Sequence, residues 1–436
     1  MESKSRRLIR MATTGAAVES RLLLDSFVGS TASSGKMPVS QGENIVILGG
    51  ELFNKGAQAM TFTVIDQLRR KFENKDIYLF STMDYWRDTR EKNMYNFNIL
   101  PWDSGARTSE LVDFIPAVYA PDIPTEAREK VQNVINDCMF CIDISGYALS
   151  SQCGFTSSIM FLSNIMVMKK NSVPLYLFPQ SLGPFEYPHV KNIVLSPLLK
   201  NYLSYPQIYP RESAGVKAIQ PYTDSDEIRK WFDIVLQYND YNLENIFSEA
   251  PDFDTPQVED ESVGVVPNVR LIDRMGKESL LKIYSTIIQN LTDLGKNVYI
   301  FRHSTEDLSL CEEIFEFCDE STNIHLIGKE MNAIELEDLI SQFEFLLASR
   351  YHSIVHSYRN GVPVITVGWA EKYRELLQAF GQSQYYFDGR EDLDCQDIIN
   401  SVCALDENTT QESQKIQDVR SEVLETDLFS LIFTNE

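Results

Sequence analysis

Two successive series of short apolar strands alternating with helical segments dominate the 436-residue sequence. The first series opens with NIVILGG at residues 44–50, continues with a helical segment at 56–72, and then gives the strand-like runs DIYLFST, CMFCIDISG and PLYLFPQSLGP. Near-continuous apolar strands separated by helices are typical of parallel sheets covered on both faces. The sequence therefore predicts an α/β fold of Rossmann-like, doubly wound sheets.

The second series begins with VGVVPNV at residues 263–269 and continues through KNVYIFRH, IHLIG, FEFLLAS and PVITVG. Between the two series lies APDFDTPQVEDES, an acidic, turn-rich stretch typical of an interdomain connection. We therefore expect two Rossmann-like domains facing a cleft. The expected bounds are a disordered tail and linker at 1–43, an N-terminal domain at 44–250, a linker at 251–261, and a C-terminal domain with terminal helices at 262–436.

The overall charge and the cysteines limit the classes of ligand and the cellular compartment that we expect for this chain. A formal net charge of −24 argues against nucleic acid, because binding to a phosphate backbone rests on clustered Lys and Arg. No stretch has the length and apolarity of a transmembrane segment. The seven cysteines are scattered in mostly apolar surroundings, as expected of reduced thiols in a cytoplasmic protein. Cys138 and Cys141 form a C-x-x-C, but no second pair follows to complete a metal site.

Ligands of doubly wound sheets bind outside the carboxyl ends of the strands, so the loops after the strands are the places to search. Three loops of the first series are rich in glycine, hydroxyl and amide groups, and the first of them opens a helix whose free N–H groups favour an anion or a polar sugar group. The candidate substrate-binding residues in these loops are Asn54, Lys55, Gly56, Ser145, Gly146, Gln180 and Ser181.

The segment LLASRYHSIVHSYRNGVPVITVG at residues 346–368 places polar groups where a strand gives way to a helix. Arg350 and His352 stand at the helix start, so a guanidinium, an imidazole and unpaired backbone amides converge. This pattern predicts an anion site with a titratable group beside it. His356 could pair with His352 on zinc, but Ser353 stands where H-E-x-x-H has glutamate. We expect no metal, and a packing role for His356.

Arg211, in IYPRESAGVKAI, also follows a strand-like segment and precedes a helix. It could simply pair with Glu212 or Asp224. If the two domains close on each other, Arg211 and Arg350 are instead expected to face each other across the cleft. Two guanidinium forks suit a ligand that carries two anionic groups.

Several segments, taken in chain order, resemble the polysaccharide pyruvyl transferase family over roughly residues 44–390. They are NKGAQAM, DISGYALS, PQSLGP, PRES, APDF, VGVVPN and SRYHSIVHSYRNGVPVITVGWAEKY. The resemblance implies a two-domain fold of the GT-B glycosyltransferase type. It also implies transfer of pyruvate from phosphoenolpyruvate to a pair of sugar hydroxyls, which forms a cyclic ketal, with no cofactor besides this donor substrate.

The resemblance also implies roles for individual residues. Family motifs of the form R-D/E-x-S and R-x-H contribute to the phosphoenolpyruvate site and map here onto Arg211, Arg350 and His352, the expected catalytic residues. Their chemistry agrees: two arginines match a phosphate and a carboxylate, and an imidazole can supply the proton that C3 needs. Tyr351, inside the R-x-H motif, is an expected substrate-binding residue.

Three family motifs depart from their usual form, and one of them is SGYA at residues 145–148, where a glycine run is usual. The H-K pair after the last strand is Glu371-Lys372, so Lys372 is retained as a substrate-binding candidate. The N-x-G-D-E-A motif is NKGAQA, so two carboxylates are missing, at positions 57 and 58. The implied acceptor is a glycan or a lipid-linked sugar, which would bring a cytoplasmic protein to a membrane only through its acceptor.

Two other functions compete with this interpretation. RNGVPVITVG also resembles the donor side of nucleotide-sugar glycosyltransferases of the GT-B type, in which a carboxylate after the strand grips a ribose, and Glu371 is the only close candidate. A catalytically inactive sugar-binding protein would carry the same Arg and His residues at its strand ends without turning over a ligand.

Overall fold

The computed structural model describes residues 40–102, 123–223, 228–249, 251–318 and 322–433. The chain forms two compact units. The first holds the described residues up to Leu52 and those of Val64–Phe232 and Asn242–Ala250, and the second holds Phe53–Thr63, Asp233–Tyr241 and the described residues from Pro251 onward. Two short segments thus group with the second unit, while the domain bounds 1–43, 44–250, 251–261 and 262–436 stay a prediction. Most of the expected tail, residues 1–39, lies outside the described residues.

The first unit is built on a six-stranded parallel sheet with the strand order β3-β2-β1-β4-β5-β6. Its strands are β1 (Asn44–Leu48), β2 (Asp76–Phe80), β3 (Asn98–Leu100), β4 (Cys138–Asp143), β5 (Leu175–Gln180) and β6 (Gln207–Pro210). All five residues of β1 are buried, since its β-branched and leucine side chains meet helices on both faces. The order reverses between β1 and β4, which places the topological switch point there.

Helices connect these strands, and the loop of Asn54 sets the start of the first one. The Asn54 side chain accepts hydrogen bonds from the N–H groups of Gly56 and Ala57, at 3.1 and 3.4 Å, which satisfies amides that the helix itself leaves unpaired. The helices along this part of the chain are α1 (Lys55–Lys71), α2 (Thr82–Tyr85), α3 (Thr89–Lys92), α4 (Thr125–Asn136), α5 (Phe155–Lys170), α6 (His189–Tyr202), α7 (Ser213–Ile219) and α8 (Leu243–Ile246).

The second unit repeats the same connectivity in a second six-stranded parallel sheet, of order β12-β11-β10-β7-β8-β9. Its strands are β7 (Ser262–Val266), β8 (Asn297–Phe301), β9 (Ile324–Ile327), β10 (Phe345–Ala348), β11 (Val364–Gly368) and β12 (Tyr386–Asp388). Gly264 in the central strand leaves room for Leu346, which a Cβ at Gly264 would approach to 2.3 Å. The switch point of this sheet lies between β7 and β10.

The second unit also has helices between its strands and at its end. A reciprocal cap starts the helix at Ala333, because Asn332 accepts from the N–H of Glu335 while the Glu335 carboxylate accepts from the N–H of Asn332. The helices of this unit are α9 (Ile272–Met275), α10 (Lys277–Asp293), α11 (Leu308–Phe317), α12 (Ala333–Ile340), α13 (Tyr351–Arg359), α14 (Glu371–Ala379), α15 (Cys395–Leu424) and α16 (Leu428–Ile432).

The predicted α/β class, with two Rossmann-like doubly wound sheets, is therefore confirmed. In the part of the chain that the structure describes, every helix is too short or too polar to cross a lipid bilayer.

Candidate active site

The start of α13 is a polar strand end of the second unit. Strand β10 ends at Ala348, and Arg350 takes the N-cap position with extended backbone angles (φ −104°, ψ 130°) and no side-chain cap. The guanidinium is thereby left to other partners. Arg350 caps a nine-residue helix and His352 lies in its first turn, where the N-terminal amides and dipole favour an anion.

Two carboxylates hold the Arg350 guanidinium. Its Nε donates to Asp307 Oδ2 at 2.8 Å, and its Nη2 donates to Asp307 Oδ1 and, at 2.7 Å, to Glu306 Oε1. Burial opposes the charged form, but these hydrogen bonds raise the pKa of Arg350 further, so it stays cationic. Asp307 is fully buried, whereas Glu306 is partly exposed. An anionic ligand on Arg350 must therefore use the Nη1 edge or displace Glu306.

His352 lies against the backbone of Gly56. A Cβ on Gly56 would lie 2.2 Å from the imidazole Nδ1, so only glycine permits this approach. On the other side of the ring, Nε2 lies 3.7 Å from Oδ2 of the buried Asp233. The neighbouring Lys55 is almost buried and donates from Nζ to Glu330 Oε1 at 3.1 Å. The structure thus brings the predicted loop of Asn54, Lys55 and Gly56 to His352.

His303 is a further polar residue of this region and is not among the candidates predicted from the sequence. It follows β8, is 3% exposed, and its Nε2 has no hydrogen-bond partner among the described residues. Burial, then the nearby charges of His356 and Arg350, lower the pKa of His303 well below its usual value, so its imidazole is neutral. The sequence does contain a signal for His303, because FRHST follows a strand-like run just as SRYHS does.

His356 is fully buried on the inner face of α13, with its ring centroid 5.5 Å from that of His303. Its Nδ1 lies 3.4 Å from Glu337 Oε2, and the same carboxylate binds Arg359 Nε at 3.0 Å. These contacts fit the expected packing role. In the described part of the chain, no three His, Cys, Asp or Glu side chains converge to hold a metal ion.

In the first unit, Arg211 gathers several predicted residues. Its Nη2 donates to the Gly146 carbonyl at 3.2 Å and to Ser181 Oγ at 2.9 Å. Its Nε donates to Glu212 Oε1 at 3.1 Å, and both side chains are nearly buried. The ion pair considered as an alternative is thus present for Glu212, while Asp224 lies outside the described residues. Arg211 is therefore a buried, pre-oriented cation at the carboxyl end of β6.

The loops after β1 and β4 touch. A Cβ on Gly49, which has a φ of +72°, would lie 2.2 Å from Ser145 Oγ. Asp143 orients this turn by accepting the Ser145 N–H at 2.9 Å, and its backbone carbonyl accepts from Gln180 Nε2 at 3.3 Å. Ser145 and Gln180 therefore lie at neighbouring carboxyl ends of the sheet, as predicted.

The family model for polysaccharide pyruvyl transferase matches residues 54–371, which is most of the chain. This chain belongs to the polysaccharide pyruvyl transferase family. The family resemblance predicted from the sequence is confirmed, and the chain is accordingly a member of a transferase family acting on polysaccharide. No curated protein matches it at the level of sequence.

Solved structures show the same fold at low identity. UDP-GlcNAc 2-epimerase from Methanocaldococcus jannaschii has 12% identity and a TM-score of 0.52, covering 82% of this chain and 91% of that chain. UDP-GlcNAc 2-epimerase from Neisseria meningitidis bound to UDP-GlcNAc also has 12% identity and a TM-score of 0.52, covering 90% of this chain and 100% of that chain. At this identity the likeness concerns the GT-B-like fold alone.

This pyruvyl transferase family member departs from the N-x-G-D-E-A motif in a way that the structure explains for one position. Gln58 stands where the motif has its second carboxylate, and its Oε1 accepts the N–H of Ala333 at 2.9 Å. Gln58 is almost fully buried. The Gln58 amide therefore accepts a hydrogen bond at the start of α12, and position 58 lacks the carboxylate of the family motif.

Lys372, the retained member of the family's H-K pair, lies among aromatic rings. Its Nζ is 5.2 Å from the ring centroid of Tyr351 and 5.6 Å from that of Trp369. The two substrate-binding candidates Tyr351 and Lys372 are thus neighbours, held by a cation–π contact.

Burial raises the pKa of the Cys138 and Cys141 thiols in β4, so this C-x-x-C carries no thiolate for a metal or for redox exchange.

Proposed function

We propose that the protein transfers the pyruvyl group of phosphoenolpyruvate to two hydroxyls of a glycan or lipid-linked sugar, forming a cyclic ketal. The observation that carries the proposal is the start of α13 in a member of this family. There Arg350, held cationic by two carboxylates, and His352 both stand at the start of a helix, and Gly56 leaves room for the imidazole. An anion beside a proton donor is what the chemistry of phosphoenolpyruvate requires.

The proposed reaction balances without a cofactor. The C2–C3 double bond takes a proton at C3, and a sugar hydroxyl bonds to C2 as it loses its own proton. The C2–O bond to phosphate then breaks, and a second hydroxyl bonds to C2 with loss of its proton. One phosphoenolpyruvate and one diol thus give one ketal and one inorganic phosphate.

We assign roles to the three expected catalytic residues on this basis. His352 supplies or relays the proton to C3, while Arg350 and Arg211 bind the two anionic groups of the donor. Asp307 fixes the plane of the Arg350 guanidinium through two hydrogen bonds, and Ser181 and Gly146 fix that of Arg211. Fixed guanidinium planes lower the ordering cost of binding an anion.

The remaining candidates suit the acceptor and the outer part of the donor. Tyr351 presents an aromatic ring beside the Lys372 ammonium, and aromatic faces bind sugars while the ammonium attracts an anion. Asn54, Lys55, Gly56, Ser145 and Gln180 line strand ends, where a polyhydroxyl acceptor finds amide, hydroxyl and ammonium groups.

Calorimetric titration tests the donor directly. Phosphoenolpyruvate should bind the purified protein, and UDP-glucose and UDP-GlcNAc should not. Binding of a UDP-sugar without binding of phosphoenolpyruvate would favour a nucleotide-sugar glycosyltransferase instead.

Phosphate release separates an enzyme from a sugar-binding protein. It should occur with donor plus acceptor and be lost in His352→Ala. Phosphoenolpyruvate binding that is equally tight in Arg350→Ala and Arg211→Ala would contradict the assigned roles.

A further inference from the structure

Glu51 stands in the loop that follows β1, the central strand of the first unit. This loop touches the loop after β4 at Gly49 and Ser145, and the strand order reverses between these two strands. Doubly wound sheets bind their ligands at such a reversal. A titratable group in this loop is therefore placed for chemistry rather than for the core.

Asp84 lies beside Glu51 and is fully satisfied. Its Oδ2 accepts the Leu52 N–H at 3.1 Å and the Ser81 hydroxyl at 2.6 Å, and its Oδ1 accepts from Arg87 Nε at 2.7 Å. Asp84 is completely buried and its charge is balanced by Arg87. It fixes the backbone next to Glu51, and no oxygen of it is left to take part in a reaction.

The Glu51 carboxyl, unlike that of Asp84, is only partly buried. It accepts no hydrogen bond from any of the described residues. Burial, followed by the negative charge of Asp84, raises the pKa of Glu51 to about 7. A buried carboxylate without a partner is costly, and a carboxyl that titrates near neutral pH suits proton transfer.

Other carboxyl groups at this edge of the sheet are engaged. Asp143 accepts from the Ser145 N–H and from Asn164 Nδ2. Glu212 accepts from the Ser181 hydroxyl and from Arg211. Among the described carboxyl groups that follow β1, β4 and β6, Glu51 is thus the one whose oxygens are open to a substrate hydroxyl.

We propose that Glu51 is a catalytic residue, the general base that takes the proton of the acceptor hydroxyl as its oxygen bonds to C2 of the donor. The inference rests on the proposed function. The hydroxyl proton moves to the carboxylate, the C–O bond forms, and the electron pair of the C2–C3 double bond takes a proton at C3. The protonated carboxyl then returns its proton to the departing phosphate before the second hydroxyl reacts.

Glu51→Ala and Glu51→Gln test the assignment, with phosphoenolpyruvate as donor and a mixture of methyl hexopyranosides as acceptor probe. Both variants should bind phosphoenolpyruvate as the wild type does and should lose about 10²–10⁴-fold in kcat. Formate should restore part of the activity of Glu51→Ala only.

Glu43→Gln is the matched control and should leave donor binding and kcat unchanged. Glu43 precedes the same strand, is exposed, and is paired with Lys75. Activity retained in Glu51→Gln, or loss of donor binding together with activity, would overturn the assignment.

A second measurement needs no acceptor. Carbodiimide activates protonated carboxyl groups, so labelling of Glu51 with glycine methyl ester, followed by peptide mass spectrometry, should fall with a midpoint near pH 7. Labelling of Glu51 that already falls near pH 4.5, the ordinary value of a glutamate carboxyl, would overturn the inference while leaving the proposed function intact. Absence of phosphoenolpyruvate binding by the wild type would instead overturn the proposed function, and the inference with it.

Discussion

Gly56 and His352 approach so closely that a methyl group at position 56 would lie 2.2 Å from the imidazole Nδ1. The position of the histidine thus depends on a residue that is far away in the sequence. The contact ties the start of α1 to the start of α13.

Gly56→Ala should displace the imidazole without unfolding the protein. Because a shift of about 1 Å in a reacting group can cost about 10²-fold in rate, we expect kcat to fall by about 10–100-fold. Steady-state phosphate release measures the change. Gly328→Ala, at a position where a Cβ would meet no atom within 4 Å, is the control and should behave as wild type. Full activity in Gly56→Ala would show that the imidazole position is not critical.

His352→Ala and Arg350→Ala should have different kinetic effects. Loss of the proton donor should lower kcat by about 10²–10⁴-fold, whereas loss of the guanidinium should chiefly raise the KM for phosphoenolpyruvate. Arg270→Ala is the control for charge, because Arg270 binds the same Glu306 and is more than half exposed. It should leave both constants unchanged. Wild-type kinetics in both test variants would rule out the roles.

Arg211→Ala should cost stability as well as donor binding. It leaves the nearly buried Glu212 carboxylate without its guanidinium, and breaking such a pair lowers the free energy of unfolding by about 3–5 kcal/mol. Urea unfolding measures this effect. The double variant Arg211→Ala/Glu212→Ala should recover part of the stability, yet calorimetry should still detect no tight donor binding. Restored binding in the double variant would make Arg211 a structural residue only.

Glu51→Gln should stabilise the protein at alkaline pH. Unfolding returns the Glu51 pKa from about 7 to its ordinary value of 4.5. The unfolded chain therefore binds fewer protons between these values, and the stability contributed by Glu51 falls as pH rises from about 4.5 to about 7. We expect the variant to exceed the wild type by about 1–3 kcal/mol at pH 8 and by much less at pH 5, in urea unfolding at both values. An equal difference at both pH values would show that the carboxyl does not titrate in this range.

The sequence predicted the inner strands of both sheets well, because their β-branched runs are long and end in glycine or polar residues. It did not predict β3 and β12. Both are three-residue strands at the edge of a sheet, too short to show a period, and only pairing with a neighbour defines them.

The site residues also fall into those that the sequence predicts and those that only the fold reveals. Arg211, Arg350 and His352 could be predicted because each follows a strand, and the rule that ligands bind at strand ends needs only local sequence. Asp307, Asp84 and the open carboxyl of Glu51 could not, because their states depend on partners brought together by folding. His303 satisfied the strand-end rule and was overlooked for want of a motif around it.

The segment Phe53–Thr63 groups with the second unit although it directly follows β1 of the first. Neither half of this transferase is therefore a single continuous stretch of chain. A fragment that begins after residue 250 would have His352 but would lack Gly56, and expressing the two halves as separate pieces would remove a neighbour of the imidazole before any experiment began. A fragment meant to represent the second unit therefore has to carry this eleven-residue segment as a fusion.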